Sequence, residues 1–277
     1  MNRGAADMDD LDGMDEGDGT GPLSLRPLTA RSVVLSTLLG HHPPALPARA
    51  LVRVGELFGT AEGTIRTALT RMVAAGDLEQ RDGTYRLTER LLARQARQDD
   101  SRAPRTRPWD GTWEIAVVVP DRRTASDRAA LRQAMAVLRL AELREGCWLR
   151  PANLLRARPA VVTEQCTVLT GAPEGDPAEL AAALWDLAGW ARRARALEAA
   201  LDALPGRPGD LAERFTVSAA VLRHLLDDPV LPAPLLPADW PGDRLRHRYA
   251  AWDRDFRGLL LEHLGLPGAD GIRADGI

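Results

Sequence analysis

The residues most capable of chemistry are not a catalytic set but a patch of hydroxyls and guanidinium groups. Between Glu62 and Ala75, Thr64, Thr67, Thr70 and Arg71 recur at helical spacing, with Arg66 at their border and Gly63 beside them. This face is small and polar and carries no acid. Such a face can lie against a DNA groove: short side chains let the backbone approach, threonine bonds bases or phosphates, and arginine pairs with guanine in a bidentate manner. Arg81 and Arg86 follow on either side of Asp82-Gly83, a favoured two-residue hairpin turn, and can reach phosphate or the minor groove. The alternatives are an Arg66–Glu62 pair along one helix and a hairpin whose arginines are simply solvated.

Other chemistries find less support. The five histidines form no HExxH and combine with no cysteine at zinc-site spacing, so no metal site or cofactor is expected. Cys147 and Cys166 are too few for a disulfide framework and read as small core residues. Asp121 follows the strand Ile115–Val119 and is the one candidate ligand for a metal-dependent nuclease. It stands in Pro-Asp-Arg-Arg, where two arginines discourage a divalent cation. A third class is an interaction adaptor that uses the same helix on a protein partner, which would want an apolar outward face.

The elements that must carry the polar patch can be read in order. Thr29 caps a helix from Ala30, with Val33, Val34 and Leu38 on one side, and Gly40 and Pro43-Pro44 stop it. Pro47 suits the first position of a second helix with Leu51, Val54, Leu57 and Phe58. Thr60 is a natural cap for the third, Ala61–Ala75, whose Ile65, Leu69, Met72 and Val73 form the buried stripe. The hairpin Leu78–Leu87 completes a winged helix-turn-helix, and a short helix runs on to Gln98. Residues 28–108 hold thirteen arginines against eight acids, whereas residues 1–27 hold seven acids against two arginines. The basic segment fits a nucleic-acid-binding module. All 36 basic residues are arginine.

The chain is expected to be α+β and multidomain: a disordered acidic tail (1–27), the winged helix-turn-helix (28–98), a linker (99–108), a ferredoxin-like middle domain (109–175) and a helical C-terminal domain (176–277). In the middle domain the strand Ile115–Val119 ends at Pro120. A helix over Ser126–Glu142 and strands at Gly146–Leu149 and Gln165–Leu169 follow. Behind it come one long helix from Leu180 to Leu204, another from Leu211 to Leu226 and a last from Arg244 to Leu264. No apolar run is long enough to span a membrane and no leader is evident, so the cytoplasm is expected. Seven tryptophans against three phenylalanines are read mainly as core, with one or two left to line an aromatic-acyl pocket.

Four segments resemble the phenylacetic-acid-degradation repressors, the PaaX-type regulators. They are Arg31–Leu35 through Gly63–Met72, Gly76-Asp77-Leu78 and Tyr85–Thr88; Trp109-Asp110-Gly111-Thr112-Trp113; Gly146-Cys147-Trp148-Leu149-Arg150-Pro151; and Asp228–Pro232 with Leu235-Leu236-Pro237 and Asp239-Trp240-Pro241-Gly242. The resemblance covers residues 28–265. It implies a non-enzymatic, dimeric repressor that binds palindromic operator DNA and is released by a small-molecule effector, phenylacetyl-coenzyme A or another acyl-CoA. It also implies a middle domain similar to the CRISPR-associated ferredoxin-like nucleases. No residues that spell a coenzyme A pocket are legible.

Overall fold

A computed structural model describes residues 28–119, 122–204 and 208–265. The expected acidic tail, Pro120 as a strand end and the candidate ligand Asp121 lie outside the described residues.

In chain order the elements are α1 (Ala30–Gly40), β1 (Ala45–Pro47), α2 (Ala48–Leu57), α3 (Glu62–Ala74), β2 (Leu78–Arg81), β3 (Thr84–Leu87) and α4 (Glu89–Arg102). There follow β4 (Trp113–Val118), α5 (Ala125–Val137), β5 (Ala141–Arg144), β6 (Cys147–Pro151), α6 (Ala160–Gln165) and β7 (Cys166–Gly171). The last are α7 (Pro177–Leu184), α8 (Leu187–Asp202), α9 (Leu211–Leu226) and α10 (Gly242–Leu264). The chain divides into two compact units. One takes Ala103–Arg193 and Asp227–Pro241; the other takes the described parts of Gly19–Arg102, Ala194–Leu226 and Gly242–Ile277. The stretch expected as one helical domain is shared between these two units. Its aromatic stripes sort its helices: Phe215 of α9 and Phe256 of α10 meet Phe58 at the end of α2, at ring separations of 5.0 and 6.2 Å.

In the unit that holds α1–α4, Thr29 and Ser32 form a reciprocal capping box that starts α1. Val33, Leu38, Leu51, Val54, Ile65, Leu69 and Met72 are buried where the three helices meet. Gly55 permits the close crossing of α2 and α3, since a Cβ there would stand 2.6 Å from Ile65 Cγ1. Strands β1, β3 and β2 make a three-stranded antiparallel sheet in that order. Asp82 and Gly83 both take positive φ, 51° and 73°, as a primed hairpin turn requires. Three expectations are corrected. Pro47 is the N-cap of α2 and ends β1, a strand too short to show alternation. Ala61, not Thr60, stands at the N-cap of α3, with no side-chain cap bond, and the Thr60 N–H donates to Gly55 O at 2.9 Å to close the preceding turn. Helix α4 continues past Gln98 to Arg102, so residues 99–108 are not a plain linker. Gln95 donates from α4 to Leu39 O and His41 O, and the Arg102 guanidinium lies 5.7 Å from the Tyr249 ring centroid.

The other unit is built on a four-stranded antiparallel sheet ordered β5–β6–β4–β7, interleaved with α5 and α6. Ala116 and Trp148 face Leu131, Met135 and Leu138 of α5 and Val162 of α6. On the opposite face Trp113 and Leu149 pack with Ala181, Leu187, Leu231 and Leu235. The helix expected to reach Glu142 stops at Val137. Arg139 turns left-handed at φ 55°, and the Leu140 N–H closes on Met135 O at 3.0 Å, so residues 141–144 become the edge strand β5. The helix expected from Leu180 to Leu204 is likewise two: Asp186 accepts from the Gly189 N–H at 2.8 Å, restarting the chain as α8. The break sends the Trp185 ring to 6.5 Å from that of Trp113. Cys147 and Cys166 are free and half-buried; Cys166 packs against the core beneath the sheet, and burial pushes its thiol up. Among the described residues no helix is long and apolar enough to cross a membrane.

Candidate nucleic-acid interface

Helix α3 divides cleanly. Ile65, Leu69 and Met72 are buried, while Thr64, Arg66, Thr67, Thr70 and Arg71 are all exposed. The Thr67 hydroxyl donates to Gly63 O at 2.8 Å and that of Thr70 to Arg66 O at 3.1 Å. Both oxygens keep lone pairs for an incoming donor, and the helix face keeps a shallow profile. Arg66 donates to Glu62 at 2.7 Å, both groups exposed, so its guanidinium is shared with a carboxylate one turn away. Arg71 makes no such bond among the described residues. Arg81 ends β2 and Arg86 lies on β3, both exposed and likewise without an ion pair there. The structure thus brings Thr64, Thr67, Thr70 and Arg71 onto one face and sets Arg81 and Arg86 on the hairpin. Arg66 is diverted.

What fixes α3 against the hairpin is a residue whose role sequence reasoning missed. Asp77 is buried, with 2% side-chain exposure, between the end of α3 and the start of β2. Its carboxylate accepts from Arg31 of α1 at 2.7 Å and from Arg90 of α4, and its N–H donates to Met72 O at 2.9 Å. The Thr88 hydroxyl donates to Gly76 O and Asp77 O. Charged hydrogen bonds of this kind contribute about 1.5–3 kcal/mol each when half-shielded from water. Asp77→Ala should therefore lower unfolding free energy by about 2 kcal/mol, read as a shifted urea midpoint. No shift would mean that the two arginines find water as good a partner.

The remaining family-like segments form a separate structure in the sheet unit. In Trp109–Trp113, Gly111 takes φ 89°, Asp110 accepts from the Thr112 N–H and hydroxyl, and the Trp109 indole donates to Thr112 O at 2.7 Å. Those bonds to Thr112 hold the Asp110 carboxyl below its ordinary range. Arg150 on β6 is fully buried and joins two distant motifs. It donates to Arg139 O, Pro151 O and Asn153 Oδ1, and across to Pro229 O and Val230 O at 3.2 Å each. Asn153 also donates to Val230 O at 3.0 Å, and Asp228 accepts from the Val230 N–H at 2.7 Å. Val230 is held at φ 51°, a costly conformation for a β-branched residue. Burial, then the nearby Arg156 and Arg139 charges, push the Arg150 guanidinium well below its ordinary range.

Trp190 stacks on Trp240 at 4.5 Å and Trp252 on Phe256 at 5.1 Å, while Trp148 packs among the aliphatic residues under the sheet. Among the described residues no group of three or more His, Cys, Asp or Glu could hold a metal ion.

Three family models match in order: PaaX-like protein over residues 29–91, the PaaX protein central Cas2-like domain over 106–170, and the PaaX-like protein C-terminal domain over 185–264. No curated protein matches the chain. Among solved structures, the chain is similar to the uncharacterized protein Rv0674 from Mycobacterium tuberculosis. The two share 48% identity with a TM-score of 0.69, over 86% of this chain and 97% of that one. With three consecutive models spanning most of its length, the chain belongs to the PaaX-like family.

Proposed function

We propose that the protein is a cytoplasmic, DNA-binding transcriptional repressor. In this reading α1–β3 is a winged helix-turn-helix with α3 as the helix that enters the major groove, and β4–β7 is a ferredoxin-like domain. The observation that carries the reading is the exposed, acid-free face Thr64, Thr67, Thr70 and Arg71 on a helix whose other face is buried core. Arg81 and Arg86 on the hairpin would grip flanking phosphate. Two chains would present two α3 helices to half-sites roughly 10 or 20 base pairs apart on a palindromic operator. Family membership supports repression. The target would be an aromatic-acid (phenylacetate-like) catabolic operon, with release by an acyl-CoA-type ligand. That ligand would act by binding the DNA-incompetent arrangement better, and DNA would weaken its binding in return.

Fluorescence anisotropy on the DNA upstream of its own gene, across a salt series, tests this. Binding should weaken steeply with salt, with a log–log slope near −0.9 for each phosphate neutralised. Phenylacetyl-coenzyme A should release it. Salt-sensitive binding indifferent to the thioester would discard that effector and keep the regulator. Binding no tighter than to unrelated DNA, on this fragment and across genomic fragments, would overturn the DNA-binding reading.

A further inference from the structure

Beside the acid-free face of α3 stands one carboxylate, that of Glu62, and it is tied to Arg66. Arg66 Nε donates to Glu62 Oε1 at 2.7 Å across one helical turn, and both side chains are more than half exposed. As a brace for the helix the pair contributes little. Water already solvates both charges, and two long side chains must be held in one geometry. Thr70, one turn farther along, bonds Arg66 O at 3.1 Å and belongs to the polar face, so the pair sits at the edge of that face.

The bond uses one nitrogen of the guanidinium and one oxygen of the carboxylate. Glu62 Oε2 and both Arg66 Nη atoms have no partner among the described residues. The pair therefore offers two donor nitrogens followed by an acceptor oxygen, ordered in advance by the Nε–Oε1 bond. Across the major groove a G·C pair shows acceptor N7, acceptor O6 and donor N4, whereas an A·T pair shows acceptor, donor, acceptor. Two donors followed by an acceptor match the first. They do not match the second, nor either pair reversed. A carboxylate oxygen set against O4, O6 or N7 meets another acceptor and loses its water without replacement.

We infer that Glu62 and Arg66 together read one G·C pair in each half-site, Arg66 donating to guanine O6 and N7 and Glu62 accepting from cytosine N4. The inference rests on the reading of α3 as the major-groove helix. Arg66 is withheld from phosphate and turned to a base. The pair is neutral as a unit, so it adds little to affinity for DNA at large, and its effect falls on the choice among sequences. Glu62 is then a specificity-determining residue even though DNA repels its charge.

Selection of binding sites from a random duplex library by the full-length protein, repeated with Glu62→Gln and Arg66→Ala, tests this. The wild-type motif should contain a G·C position in each half-site that relaxes in both variants while the other positions hold. On duplexes carrying that motif, changing this pair to A·T should weaken the wild type by about fivefold, the lower end for a base contact, and Glu62→Gln by about twofold at most. The log–log salt slope should be the same for wild type and Arg66→Ala. Both substitutions lie at exposed positions, so unchanged urea midpoints should accompany these effects. A motif that Glu62→Gln leaves unaltered would overturn the inference and keep the DNA reading. So would a slope about 0.9 shallower in Arg66→Ala with all sequences weakened alike, which would put Arg66 on phosphate. A wild type that selects no motif would bring down both.

Discussion

Arg150→Ala should lower the free energy of unfolding by about 3–5 kcal/mol, among the largest effects of any single substitution in this chain. The side chain is fully buried and donates to four carbonyls and to Asn153 Oδ1. Alanine would strip donors from buried acceptors, leave a void, and release the carbonyl that helps hold Val230 at positive φ. Arg150→Met separates the contributions, since it keeps most of the volume and none of the donors. If methionine costs only ~1 kcal/mol, packing rather than hydrogen bonding joins the two motifs. Urea unfolding followed by tryptophan emission reads both variants. An alanine variant within 0.5 kcal/mol of the parent, the range of an ordinary surface change, would sink the account.

Arg71→Ala should weaken operator binding by about 5- to 150-fold, the ~1–3 kcal/mol of a good arginine–base contact. Its unfolding midpoint should stay where it is, because Arg71 is exposed and has no partner among the described residues. Thr67→Glu should do more, placing a carboxylate at the middle of the face that meets phosphate-rich DNA. Arg66→Ala should do less, since Glu62 already occupies that guanidinium. Loss of affinity that is equal for all DNA sequences would assign Arg71 to phosphate; loss confined to the operator would assign it to a base. Unchanged affinity at unchanged stability removes it from the interface.

How much could be read in advance depended on the range of the interaction. The α3 stripe, the Asp82-Gly83 turn and α9 at Leu211–Leu226 were legible because periodicity, turn type and caps are local. The breaks at Val137 and Asp186 were missed because apolar periodicity runs through both, and only a left-handed Arg139 and an aspartate cap interrupt it. Strand β1 exists because β3 supplies its partner, which three residues ending in proline do not announce. On the candidate interface, exposure of the five α3 residues followed from the stripe, and that of Arg81 and Arg86 from the hairpin turn. The diversion of Arg66 was open beforehand as an i, i+4 pair. Asp77 was invisible as a clamp, because its arginines lie 46 and 13 residues away.

The helical unit also has consequences for synthesis on the ribosome. Arg53 of α2 donates to Leu264 O at the end of α10, and His263 Nε2 lies 2.9 Å from Arg53 O, each across more than 200 residues. Among the described residues, Phe58 finds its ring partners in α9 and α10. A nascent chain that has released its first hundred residues therefore exposes that aromatic edge until translation is almost complete. Contacts of such long sequence separation slow folding and lengthen the exposure of apolar surface. A nonsense mutation late in the gene would leave α3 without the helices that brace its neighbour, so truncated chains should be cleared by proteolysis rather than compete for the same sites.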